Sequence, residues 1–262
     1  RCPRPHRHDG DPPMSNGPDQ SLKNRVRERV KLALRGGLHR LDLDVSRGIF
    51  TRQVARTLES RGIDTVLDVG ANVGQYALGL RRSGYAGRIV SCEPLSGAYG
   101  ELSRRAAKDP HWHPVNAAVG REPGETDINV AANSYSSSIL GMTQAHLDGA
   151  PDSAYVAIER VEVTTVTALV EKFAIDPART LLKIDTQGYE AEVMAGAGDL
   201  LGRFDGMQLE VSFVELYEGQ QLAEQTIAVL REHGYRLQSL ETGFSDPTGR
   251  LLQCDVLVVR DH

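Results

Sequence analysis

The stretch Thr65-Val66-Leu67-Asp68-Val69-Gly70-Ala71-Asn72-Val73-Gly74-Gln75-Tyr76 constrains this 262-residue chain more than any other. An apolar run ends in an acid, passes through a glycine-containing turn and opens into a helical pattern. A β-branched run bounded by glycine is the mark of a parallel strand buried on both faces. Gly70 supplies the tight turn, and Gly74 is expected to let the backbone approach a ligand with no Cβ in the way. Asp68 is expected to present its carboxylate at an exposed strand end, on the carboxyl edge of an open sheet where such folds bind ligands. The cofactor-binding residues expected here are Asp68, Gly70, Asn72, Gly74, Gln75 and Tyr76.

Spacing separates two users of such loops. A dinucleotide turn needs Gly-x-Gly-x-x-Gly, so that backbone amides and a helix N-terminus face a pyrophosphate. Asn72 and Gln75 stand where the second and third glycines would be. The form Asp-x-Gly-x-x-x-Gly is instead the one class I methyltransferases carry for S-adenosylmethionine, which has no phosphate and whose cationic ammonium suits a nearby acid. On the loop alone, a glycine turn in an ordinary α/β protein is the other reading.

A chain of this length fits one large domain with a small N-terminal extension. Its net charge of −5 gives no general electrostatic reason to bind nucleic acid, and none is expected as a partner. Cys2, Cys92 and Cys254 are odd in number and lack CxxC spacing, so neither a disulfide framework nor a thiolate zinc site is indicated, and a cytoplasmic location is expected. No apolar run reaches the length of a membrane span, and the N-terminus has no hydrophobic core of a signal peptide.

Residues 1–20, rich in proline, are expected to form a disordered tail. Two helices are expected over 21–60. In the first, Leu22, Val26, Val30 and Leu34 form an apolar stripe against a strongly basic face, suited to packing on the domain or to docking on a membrane surface or partner. A homo-oligomer contact through these helices is also considered. The second, about Arg47 to Ser60, should turn Ile49, Phe50, Val54 and Leu58 inward.

Beyond the glycine loop, Ile89-Val90-Ser91-Cys92 is a second buried strand, ending in Glu93 and stopped by Pro94. Glu93 lies where α/β cofactor folds place a carboxylate to accept both ribose hydroxyls. A third strand is expected through 114–120, with Asn116 and Ala117 where an adenine would lie. Between 122 and 165 the pattern changes to alternation, and Thr126–Ala132 and Val156–Thr164 read as an antiparallel pair inserted into the domain. The polar loop between them is a candidate lid and acceptor surface, with Ser136 and Ser137 either acceptor contacts or turn residues. A fourth strand, 181–184, ends on Asp185, and a fifth, Met207–Ser212, carries Glu210 near its carboxyl end.

Together these residues resemble the FkbM-type S-adenosylmethionine-dependent methyltransferases. The matching pieces are VLDVGANVGQYA, SCEP, LLKIDTQGYEAEVMAGA, EVSFVELYEGQ and QCDVLVVR, in the family's order. The resemblance implies a Rossmann-like class I methyltransferase domain over 61–262, its seven-stranded, mostly parallel sheet closed by an antiparallel last strand, with helices on both faces. It also implies methyl transfer to a hydroxyl of a sugar or of a glycosylated or polyketide natural product, so the expected partner is a small-molecule or glycoside acceptor. Asp185 and Glu210 are then the expected catalytic residues, and Tyr189 and Tyr217 join the candidate acceptor contacts. The same two acids are candidate Mg²⁺ ligands, as in some O-methyltransferases of the superfamily. Asp185 as a mere helix cap, and Lys183 as a structural ion-pair partner, are the plainer alternatives. A nucleotide-dependent oxidoreductase and a non-catalytic binding protein are the competing functions.

Overall fold

The computed structural model describes residues 45–133 and 135–261. The tail over 1–20 and the basic helix expected from Ser21 lie outside the described residues.

The centre is a seven-stranded sheet of order β3-β2-β1-β7-β8-β10-β9. Its strands are β1 (Thr65–Val69), β2 (Arg88–Cys92), β3 (Trp112–Val115), β7 (Thr180–Ile184), β8 (Gly206–Ser212), β9 (Tyr235–Thr242) and β10 (Gln253–Arg260). Neighbours from β3 to β8 pair in parallel, and β10 runs antiparallel to both β8 and β9. The expected Rossmann-like arrangement, with one antiparallel last strand, is therefore present. Every residue of β1 and β7 is buried, because helices cover both sheet faces.

Helices α1 (Val45–Arg61), α2 (Gln75–Arg82) and α3 (Ser96–Ala106) share one apolar cluster: Phe50, Val54 and Leu58 meet Leu80, Leu102, Trp112 and Leu181. Ile49 was expected to face inward but is half exposed. It precedes buried Phe50 by one residue, a rotation of roughly 100° around the helix that turns it to solvent. Helices α5 (Val166–Lys172), α6 (Glu190–Ala195) and α7 (Ala223–Glu232) contribute Val166, Leu169, Val193, Met194 and Leu230 to a second cluster.

The third strand is shorter than expected. Pairing with β2 ends at Val115, and Ala118–Val119 forms a separate strand, β4, in a small sheet of order β4-β6-β5. There β5 (Gly124–Ala131) and β6 (Tyr155–Thr164) pair antiparallel as the alternating pattern indicates, with the short helix α4 (Gln144–Gly149) between them in sequence. Among the described residues no helix is long and apolar enough to cross a membrane.

Candidate active site

Strand order reverses between β1 and β7, and in open sheets of this kind ligands bind in the crevice beyond the carboxyl ends at such a switch point. Val69 pairs with Ile184, which sets Gly70 against Asp185. A Cβ on Gly70 would lie 1.8 Å from the Asp185 carbonyl oxygen, and the residue's φ of +76° is one that L side chains rarely adopt. Amides of Gly70 and Ala71 donate to the Cys92 carbonyl, stitching the loop to β2. Gly74 also has positive φ, but its Cβ would meet the Trp112 ring at 2.7 Å. The expectation that Gly74 admits a ligand is thus corrected: it admits the buried tryptophan that underlies the loop.

Asp68 departs from expectation as well. Rather than presenting an exposed carboxylate, it is fully buried in a polar row across one sheet face, where Ser91, Asp68, Lys183 and Gln208 stand in register on four adjacent strands. Trp112 Nε1 donates to Ser91 Oγ (3.0 Å), which donates to Asp68 Oδ2 (2.9 Å). Lys183 Nζ lies 3.1 Å from Asp68 Oδ1 and donates to the Gly70 carbonyl (2.9 Å). Burial works against the Lys183 ammonium, but the carboxylates of Asp68 and Asp185 outweigh it and hold the amine charged above its ordinary range. Tyr76 belongs to the same network, donating to Gln208 Oε1 at 2.7 Å. Asp68 and Tyr76 therefore support the loop from below. Gln75 is exposed at the start of α2.

At the end of β2, Glu93 is 6% exposed. Its Oε2 accepts the Asn72 amide (2.8 Å) and its Oε1 the Leu95 amide (2.9 Å). Burial pushes its carboxyl up to about 7, against the pull of those two amides. A carboxylate offers roughly four lone-pair sites, so each oxygen keeps capacity for a ribose hydroxyl. This buried acid, facing Asn72 with φ +47°, fits the diol of S-adenosylmethionine. Asn116 is used differently from expectation: its side-chain amide donates to the carbonyls of Glu93 and Pro94, fixing the turn that carries the acid. Ala117 is buried beside it and Pro94 half buried.

Across the crevice, the Asp185 side chain is 36% exposed. Its Oδ2 lies 3.5 Å from Lys183 Nζ, and its Oδ1 accepts Gln187 Nε2 at 2.9 Å. The same Gln187 nitrogen donates to Glu210 Oε2 at 2.6 Å. Burial pushes the Glu210 carboxyl well above its usual range, with Asp185, Asp255 and Glu190 adding to the effect and Lys183 opposing it. Asp185 is not a helix cap. The turn before α6 is held by Glu190, whose Oε1 accepts the amides of Thr186 and Gly188.

The Mg²⁺ for which Asp185 and Glu210 were candidate ligands does not fit this arrangement. Both carboxylates point at an amide nitrogen, which takes the place of a cation, and among the described residues no third acidic, histidine or cysteine side chain joins them in a metal-binding group.

Of the expected acceptor contacts, Ser136 is buried and bonded to Ser153 Oγ and Asn133, while Ser137 Oγ accepts the Ala131 amide. Both hydroxyls shape the insertion loop. Tyr189 is half buried against the core. Tyr217 is fully buried, its hydroxyl donating to Gln187 Oε1 at 2.7 Å. Sequence reasoning missed Gln187 as a functional residue, although it sits inside the most specific motif, before a glycine.

Residues 68–237 match the methyltransferase FkbM domain. No curated protein matches the chain. Among solved structures, magnesium protoporphyrin IX methyltransferase from Synechocystis PCC 6803 with bound S-adenosylmethionine is 13% identical, over 84% of this chain and 82% of that one, with a TM-score of 0.45. The 1,6-didemethyltoxoflavin-N1-methyltransferase of Burkholderia thailandensis is 12% identical, over 97% and 94%, with a TM-score of 0.43. With its motifs in place along the crevice and the domain matched over more than half its length, the chain belongs to the FkbM methyltransferases and is an S-adenosylmethionine-dependent methyltransferase.

Proposed function

We propose that this enzyme is an O-methyltransferase acting on a hydroxyl of a sugar, or of a glycosylated or polyketide natural product, with Asp185 as the general base. The observation that carries the reading is the Asp185 carboxylate: part exposed, at the switch point beside Gly70, and not engaged by any helix amide of the following turn. S-adenosylmethionine, when bound, supplies a methyl group on a positively charged sulfur. The chain's residues do the rest. Glu93 and the Gly70–Gly74 loop hold the cofactor, Lys183 fixes the loop from beneath, and Asp185 takes the acceptor hydroxyl's proton as the oxygen–carbon bond forms and the sulfur–carbon bond breaks.

A sugar hydroxyl is a weak nucleophile, so a positioned base contributes about 10²–10⁴-fold. Glu210 suits this role less well, because burial pushes its carboxyl well above its usual range and so disfavours the ionised form a base needs. We assign Glu210 to holding the pair's geometry. Buried, unpaired Cys92 and Cys254 support a cytoplasmic location. The oxidoreductase reading lacks its glycines.

The test is methyl transfer from labelled S-adenosylmethionine to a panel of glycosides and glycosylated polyketides, with the product bond located by mass spectrometry and NMR. An O-methyl ether supports the reading; transfer confined to nitrogen or carbon acceptors contradicts it.

A further inference from the structure

We propose that Gln187 is a positioning residue whose single side-chain amide holds Asp185 and Glu210 as one pair and couples that pair to the 122–165 insertion. This rests on the reading of Asp185 as the base.

Four chain segments converge on this residue. From the sheet, the carboxylates beyond β7 and near the end of β8 both accept its Nε2, at 2.9 and 2.6 Å. From the segment after β8, the Tyr217 hydroxyl donates to its Oε1 at 2.7 Å. From the insertion, Ser138 Oγ donates to its main-chain carbonyl at 2.6 Å, and the Ser136 carbonyl lies 3.3 Å from the Tyr217 hydroxyl. Its own turn carries it: Gln187 has φ +55°, and Gly188, at +96°, is packed so closely that a Cβ would meet Tyr217 Cβ at 2.7 Å.

The amide orientation satisfies three partners at once: its nitrogen donates to Asp185 and to Glu210, and its oxygen accepts the Tyr217 hydroxyl. With the nitrogen inward, Asp185 Oδ1 is fixed by Gln187 and Oδ2 is drawn towards Lys183, so the plane of the carboxylate is set by its two neighbours. Tyr217 is seated in turn by the insertion, since His146 of α4 packs edge-on against its ring at 5.0 Å. A shift of the insertion thus reaches the base through Tyr217 and Gln187. Catalytic groups tolerate little misplacement, and an error of about 1 Å can lower a rate about 10²-fold.

The experiment compares wild type, Gln187→Met, Tyr217→Phe and Asp185→Asn. Hydrogen exchange over residues 135–142 and 214–220 is read by mass spectrometry, cofactor affinity by calorimetry with S-adenosylmethionine, and turnover with the best glycoside of the panel. Gln187→Met is expected to speed exchange in both segments several-fold and to lower kcat about 10–100-fold, with cofactor Kd within about threefold. Asp185→Asn keeps an acceptor for Gln187, so its exchange should match wild type while its turnover collapses. Unchanged exchange and kcat in Gln187→Met overturn the inference. Should that variant not fold, Tyr217→Phe decides: faster exchange in 135–142 with a reduced kcat supports the coupling, and wild-type values refute it. Wild-type turnover in Asp185→Asn would instead sink the base assignment, leaving the exchange result to report on Gln187 separately.

Discussion

Asp68 and Lys183 face each other across β1 and β7 at 3.1 Å, with side chains 0% and 6% exposed, and the lysine reaches onward to the Gly70 carbonyl. The acid at the end of the first strand and the lysine before the fourth-strand acid thus form one buried device beneath the cofactor loop.

Breaking that pair from one side should be severe. Lys183→Met leaves the buried Asp68 carboxyl without its cation, and removing one partner of a buried pair destabilises by about 3–5 kcal/mol. Urea unfolding followed by circular dichroism measures this. Lys183→Met combined with Asp68→Asn should recover much of the loss, because the uncompensated charge is gone. A single mutant as stable as wild type would show that the pair does not hold the loop.

Glu93 links cofactor binding to pH. Its folded-state value, about 7, lies above the ordinary 4.5, so without cofactor this group's stabilisation is fully present below 4.5 and is lost as pH rises through about 7. Cofactor affinity should move the opposite way, strengthening as the carboxyl ionises. Calorimetry across about pH 6 to 8 should show this rise for wild type and a flat profile for Glu93→Gln. Glu93→Ala should weaken binding by about 1.5–3 kcal/mol, the range for hydrogen bonds to a charged group. Wild-type affinity in a folded Glu93→Ala protein would remove the residue from the site.

Gly74→Ala should damage the loop without touching ligand. The added methyl would strike Trp112 at 2.7 Å at a φ of +85°, so both sterics and backbone oppose it. Thermal unfolding should show a lower Tm together with weaker cofactor binding. An unchanged Tm with lost binding would restore a direct ligand contact at this position.

Metal dependence gives a further test. Since the Gln187 amide stands between Asp185 and Glu210, activity should survive exhaustive chelation. Loss of activity that Mg²⁺ restores would show that the amide gives way to a cation.

Much of this was legible in the sequence because it depends on local pattern. Buried β-branched runs each ending in an acid announced the parallel strands, and Asn72 and Gln75 in place of two glycines counted against a pyrophosphate site. What stayed hidden depends on which side chains meet through space. Gly74 reads the same whether it faces a ligand or Trp112. Asp68 looks like an exposed strand end until the register sets Lys183 beside it. Gln187 gains its importance only when the sheet brings Glu210 within 2.6 Å of its amide, a contact between strands that no spacing within one motif encodes.

The most direct measurement is single-turnover methyl transfer by Asp185→Asn beside wild type, with S-adenosylmethionine affinity determined by calorimetry on the same preparations. The substitution keeps the side chain's shape and its acceptor for Gln187 while removing the base. The expected result is a rate lowered about 10²–10⁴-fold with cofactor affinity within a few fold. A near wild-type rate on the hydroxyl acceptor would contradict it and assign the chemistry to another residue or to positioning alone.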